Sequence, residues 1–121
     1  MKTILLVDDE YAVVEILAML LEDEGYAVLT ASDGQQALEI LTEKTPDAVI
    51  TDQMMPLVDG AQLFRRMQRN ALHRHIPVVL MSSAPVAPSN AKLAWAMFLQ
   101  KPFEFNDLTS WLRKHIGGGR R

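Results

Sequence analysis

Ala48-Val49-Ile50-Thr51-Asp52-Gln53-Met54-Met55-Pro56-Leu57-Val58-Asp59-Gly60 is the stretch that decides the fold. Its first three residues form a short apolar run of the kind buried on both faces of a parallel sheet, while Pro56 and Asp59-Gly60 are turn chemistry. The run therefore reads as a strand whose carboxyl end delivers Asp52 to a loop. In open α/β sheets that edge is where sites form.

Toward the N-terminus, Thr3-Ile4-Leu5-Leu6-Val7 is a second continuous β-prone run, stopped abruptly by Asp8-Asp9-Glu10. From Tyr11 the period changes: Val13, Leu17, Leu20 and Leu21 recur at helical spacing up to Glu22-Asp23-Glu24, and Gly25 is a natural residue to follow a helix. Tyr26 to Thr30 reads as the next strand. Ser32-Asp33-Gly34-Gln35 then offers a Ser-x-x-Gln capping box for a helix carrying Ala37, Leu38, Ile40 and Leu41 and ending near Lys44, ahead of Pro46.

Toward the C-terminus, a helix is predicted from about Asp59 to Asn70, with Leu63, Phe64 and Met67 inward and Arg65, Arg66 and Arg69 toward water. A polar connector over 71–76 leads to a buried strand, Pro77 to Ser82. Pro85 and Pro88 bracket a loop, and 89–96 supplies only short helical material without a strong apolar stripe. Met97 to Gln100 is a fifth strand, ended by Lys101-Pro102. Leu108, Trp111, Leu112 and Ile116 mark a last amphipathic helix, stopped by Gly117-Gly118-Gly119.

Strands alternating with helices make βαβ units, whose right-handed crossovers require a parallel sheet with helices on both faces. The fold class is doubly wound α/β. The organisation expected is one domain over 1–116, with 117–121 a flexible tail or linker stub.

Composition bounds the function. The 121 residues suit a single core, and a hydrophobic content of 49% is that of an ordinary globular domain. The apolar runs are too short to span a bilayer, and the five residues after Lys2 are too few for a signal-peptide core, so a cytoplasmic protein without membrane insertion is expected. There are no cysteines, hence no disulfides and no thiolate metal site. A net charge of −3 lacks the basic excess of a nucleic-acid binder, so no direct nucleic-acid contact is expected.

The strand ends carry the chemistry. In order they deliver Asp8 and Asp9, then Asp52, Ser82 and Lys101. Three carboxylates brought together repel, and either one takes up a proton or a cation neutralises them. An all-oxygen donor set with few carboxylates favours a hard ion that keeps water and phosphate ligands, Mg²⁺ before Ca²⁺. Three carboxylates, one ammonium and one divalent cation leave no net charge, so the site can accept a phosphoryl group. Asp52 is the expected acceptor, Lys101 an ion-pair partner for the phosphoryl oxygens and Ser82 a hydrogen-bond donor worth about 1.5–3 kcal/mol to a charged acceptor.

These residues resemble the receiver domains of response regulators in two-component signalling. Leu6-Val7-Asp8-Asp9-Glu10, Asp52 through Gly60, Ser82 and Lys101-Pro102-Phe103 fall in that family's order over essentially 3–116. The resemblance implies a flavodoxin-like sheet of order 2-1-3-4-5. It also implies Asp52 phosphorylated by a histidine kinase or phosphotransfer protein, and Mg²⁺, or alternatively Mn²⁺, on Asp8, Asp9, Asp52 and the backbone carbonyl of Met54. Ser82 and Phe98 would be the switch residues, and Lys101 would precede a cis proline. A downstream effector domain or protein would read the switch, and a phosphorylation-dependent dimer is a state the family can adopt. Such a chain is a signalling module, not an enzyme acting on external substrates. Met54 and Ala84 are apolar at positions bordering the phosphate in the resemblance, which predicts an altered acyl-phosphate lifetime.

Plainer roles compete. Asp8 and Asp9 suit a helix N-terminus on their own. Asp59-Gly60 is expected to act as turn and cap, outside the site. His73, His75 and His115 are expected to be solvated. Two other functions compete: a phosphoester hydrolase of the aspartyl-phosphate type, which would need a cap that these short loops scarcely allow, and a receiver-like interaction module that is never phosphorylated, which the unusual 83–96 region favours.

Overall fold

The computed structural model describes residues 1–83 and 97–119. Five strands form one parallel sheet in the order β2-β1-β3-β4-β5: β1 (Thr3–Val7), β2 (Ala27–Ala31), β3 (Ala48–Asp52), β4 (Val78–Ser82) and β5 (Met97–Gln100). The helices are α1 (Tyr11–Asp23), α2 (Gly34–Leu41), α3 (Gly60–Gln68) and α4 (Phe105–His115). The short helical stretch expected over 89–96, the prolines before it and Ala84 lie outside the described residues.

The central strands are apolar without a break because both of their faces are covered. In β1, Ile4 and Leu6 join the core beneath α1 and α4 with Leu17, Leu21, Leu108 and Leu112, whereas Leu5 and Val7 join the opposite core with Leu41, Leu63, Phe64 and Met67. Ile4 through Val7 are wholly inaccessible. At about 1.5–3 kcal/mol for each large aliphatic side chain buried, these two layers dominate the fold's stability. They fix the register Val7 beside Thr51 and Asp52 beside Met81, which brings the polar strand ends to one edge.

The helix ends follow the local chemistry with some shifts. Gly25 (φ 98°) follows α1; its N–H donates to the Glu22 carbonyl and the Tyr26 N–H to that of Leu21, a Schellman closure. Tyr26 therefore belongs to the turn, and β2 starts one residue later than the apolar pattern predicts. The cap of α2 is Asp33 rather than Ser32: its carboxylate accepts from the Gln36 N–H at 2.8 Å, while the Gln36 carboxamide oxygen accepts from the Ser32 N–H at 2.6 Å. The expected Ser32–Gln35 pairing is thus displaced by one position, and α2 closes at Leu41 rather than near Lys44. Asp59 and Gln62 form a capping box at the start of α3, which ends two residues before Asn70.

His73 departs from expectation. It is buried, and its Nε2 lies 3.0 Å from the carbonyl oxygen of Leu41, the last residue of α2. A helix-end carbonyl needs a donor, and the imidazole N–H supplies it. At the far end of the chain, Gly117, Gly118 and Gly119 all take positive φ near 73°, and the Tyr26 hydroxyl donates to the Gly117 carbonyl at 3.2 Å.

Candidate functional site

Each strand that ends at the polar edge contributes. The Asp8 N–H, just past β1, donates to the Ala31 carbonyl at 3.2 Å, and Asp8 Oδ1 accepts from the Glu10 N–H at 3.0 Å, which fixes the carboxylate at the approach to α1. Asp52 is the last residue of β3, and the following Gln53 N–H donates to the Met81 carbonyl at 2.9 Å. Ser82 closes β4, is buried, and its carbonyl accepts from the Lys101 N–H at 2.7 Å. The Lys101–Pro102 peptide is cis.

The side chains converge. Lys101 Nζ stands 3.0 Å from Asp52 Oδ1, 3.1 Å from Asp8 Oδ2 and 3.8 Å from Glu10 Oε1. One carboxylate oxygen from each of Asp8, Asp9 and Asp52 lies within 4.8 Å of the others. Asp8 and Asp52 are buried and Asp9 is exposed, so the cluster opens to water on the Asp9 side.

Burial pushes the Asp52 carboxyl above the ordinary aspartate range; the Lys101 hydrogen bond opposes this, and Asp8 and then Asp9 add like-charge repulsion. Burial also disfavours the Lys101 ammonium, but its hydrogen bonds to Asp52 and Asp8 outweigh that and carry its pKa above the ordinary lysine value. A crowded anionic pocket with one internal cation, all-oxygen donors and an open side suits a small hard divalent cation.

The other expected residues lie around this centre. Met54 is in the β3–α3 loop with its side chain 71% exposed. Phe98 is half-buried on β5, in register with Leu80. Glu10 lies within reach of Lys101, and Gln53, next to Asp52, bonds to Met81, Gly60 and Ala61; no local sequence pattern marks either residue. Gly60, expected only to turn the chain, packs so closely that a Cβ there would fall 2.7 Å from the Asp52 carbonyl oxygen. Only packing could reveal that, since Asp-Gly is an ordinary turn pair in sequence.

A parallel α/β domain with this carboxylate cluster and lysine at the carboxyl edge defines a class of phosphoacceptor signalling modules. The chain belongs to the response regulator receiver domain family, whose model matches residues 4–113. It is 32% identical over 115 residues to the phosphate regulon transcriptional regulatory protein PhoB of Pseudomonas aeruginosa, covering 93% of this chain and 50% of that protein. It is 29% identical over 118 residues to sporulation initiation phosphotransferase F of Bacillus subtilis, covering 95% and 94%. The chain thus spans half of the first relative and nearly all of the second. The crystal structure of response regulator TrrA from Thermotoga maritima, in complex with Mg²⁺ and BeF, superposes with a TM-score of 0.85 at 30% identity, covering 94% of this chain and 98% of that one. No helix among the described residues is long and apolar enough to cross a membrane.

Proposed function

We propose that Asp52 accepts a phosphoryl group from a histidine kinase or a phosphotransfer protein, and that the modification alters a partner-binding surface. The observation that carries this is the buried Asp52 carboxylate with Lys101 Nζ 3.0 Å away and Asp8 and Asp9 beside it. In the transfer, an Asp52 carboxylate oxygen attacks phosphorus, the phosphorus–nitrogen bond of the donor phosphohistidine breaks, and the imidazole leaves with the electron pair.

Lys101 follows the charge, moving its ion pair toward the phosphoryl oxygens, and Ser82 donates a hydrogen bond to them. Asp8, Asp9, Asp52 and the Met54 carbonyl would hold Mg²⁺, with Mn²⁺ as an alternative. The ion's contribution when bound is to neutralise the phosphoryl oxygens as charge accumulates. Hydrolysis later restores the carboxylate and releases inorganic phosphate. These are reactions of the protein upon itself, and Phe98 with Ser82 would report them outward.

We place the module at 1–116, with 117–121 as linker or tail, in the cytoplasm. An effector domain or separate protein would read the switch, and phosphorylation-dependent dimerisation is a further proposed output. Intact mass after incubation with a small phosphodonor and Mg²⁺ tests the reading. One added phosphoryl group that fails to form when chelator replaces Mg²⁺ and is absent from Asp52→Asn supports it. Absence of modification in the wild type overturns it.

A further inference from the structure

The residue after the acceptor is tied down on three sides. The Gln53 N–H donates to the Met81 carbonyl at 2.9 Å, its carbonyl accepts from the Gly60 N–H at 3.1 Å, and its side-chain Oε1 accepts from the Ala61 N–H at 2.9 Å. Two of the otherwise unpaired amides at the start of α3 are therefore satisfied by one residue of β3's exit, while Asp59 takes the Gln62 amide at 2.8 Å. The absence of a side chain at Gly60 lets α3 approach this closely, because a Cβ there would also fall 3.1 Å from Gln53 Cα.

The intervening loop, 54–59, turns Met54 and Leu57 to solvent, 71% and 82% exposed, and is anchored by Val58, which is buried in the core with Leu63 and Phe64, and by Met55 packed against that core. Between that anchor and β3, the Gln53 contacts and the capping box set where α3 begins. We infer that Gln53 is a positioning residue: its carboxamide pins the start of α3 against the exit of β3 and thereby holds Asp52 and the Met54 carbonyl in the arrangement that takes the divalent cation. This rests on the site assignment proposed above. Side chains that orient metal ligands from behind characteristically change affinity by about 10–100-fold when lost, without touching the ion.

The comparison uses three full-length proteins: wild type, Gln53→Met, which keeps the length but not the acceptor, and Gln53→Glu, whose carboxylate oxygen can again accept from the Ala61 N–H. Mg²⁺ affinity of the unphosphorylated protein is measured by calorimetry, and amide exchange at Gly60 and Ala61 by NMR. Gln53→Met should weaken Mg²⁺ binding about 10-fold and accelerate exchange at Ala61, and Gln53→Glu should restore both. Wild-type affinity and exchange in Gln53→Met would overturn the inference alone. Faster exchange with unchanged affinity would also overturn it, since the contact would then be merely structural. If the wild type shows no saturable Mg²⁺ binding, the site assignment itself fails and this inference falls with it.

Discussion

Lys101 Nζ reaches Asp52 Oδ1 at 3.0 Å although β4 lies between the strands that carry them. The lysine crosses a whole strand to place its charge between Asp52 and Asp8, where like-charge repulsion would otherwise be greatest. Removing that charge leaves buried carboxylates facing one another. Lys101→Met should therefore lose about 2 kcal/mol of stability at neutral pH. The loss should shrink on acidification, as protonation relieves the repulsion, and with added Mg²⁺, which binds only the folded state. Urea unfolding at neutral and acidic pH, with and without Mg²⁺, checks this.

Asp52 predicts a pH dependence of the opposite kind from that of a salt-bridged surface acid. Its folded pKa lies above its unfolded value because burial opposes ionisation, so the folded state holds the proton longer. Stability from this group is then present at low pH and lost as pH rises from the ordinary aspartate range through the raised folded pKa. Asp52→Asn should melt higher than wild type at neutral pH, and the gap should close below the ordinary aspartate pKa. Thermal melts across acidic pH in chelator provide the measurement.

The same residues show how much was legible in advance. Apolar runs ending in Asp8, Asp52, Ser82 and Lys101 place all four on one edge, because a parallel α/β sheet has one carboxyl edge and each βα unit returns the chain to it. Alternation of Ile4 and Leu6 with Leu5 and Val7 between two cores is what an unbroken apolar strand means physically. Gln53 and Gly60 were opaque, since the hydrogen bonds and close approach that matter there join segments whose relative placement no local pattern encodes. His73 is hidden for the same reason: its polar neighbours suggest solvent, while the Leu41 carbonyl that holds it is at the end of another helix.

Leu57 has φ of 67° with its side chain 82% exposed. A left-handed leucine costs roughly 1–2 kcal/mol, and this one recovers little by packing. Asparagine tolerates that conformation far better. Leu57→Asn should stabilise the protein by roughly 0.5–1 kcal/mol, with Leu57→Ala near neutral as control, in equilibrium denaturation.

Gly34 opens α2, where alanine would ordinarily favour the helix by about 0.8–1 kcal/mol. A Cβ at that position would run into the Val58 carbonyl and lie 2.7 Å from Val58 Cβ. The clash should win. Gly34→Ala is expected to cost about 1–3 kcal/mol in the same denaturation assay, and Gly34→Ser should be no better.

Asp52, rather than either of its acidic neighbours, is the proposed carrier of the phosphoryl group. An acyl phosphate is reduced by borohydride, which converts the modified aspartate to homoserine, and peptide mass mapping then reads the position. After treatment with a small phosphodonor and Mg²⁺, homoserine is expected at position 52, with Asp8 and Asp9 unaltered. Homoserine at position 8 or 9, or none in a protein that has demonstrably gained a phosphoryl group, would contradict it.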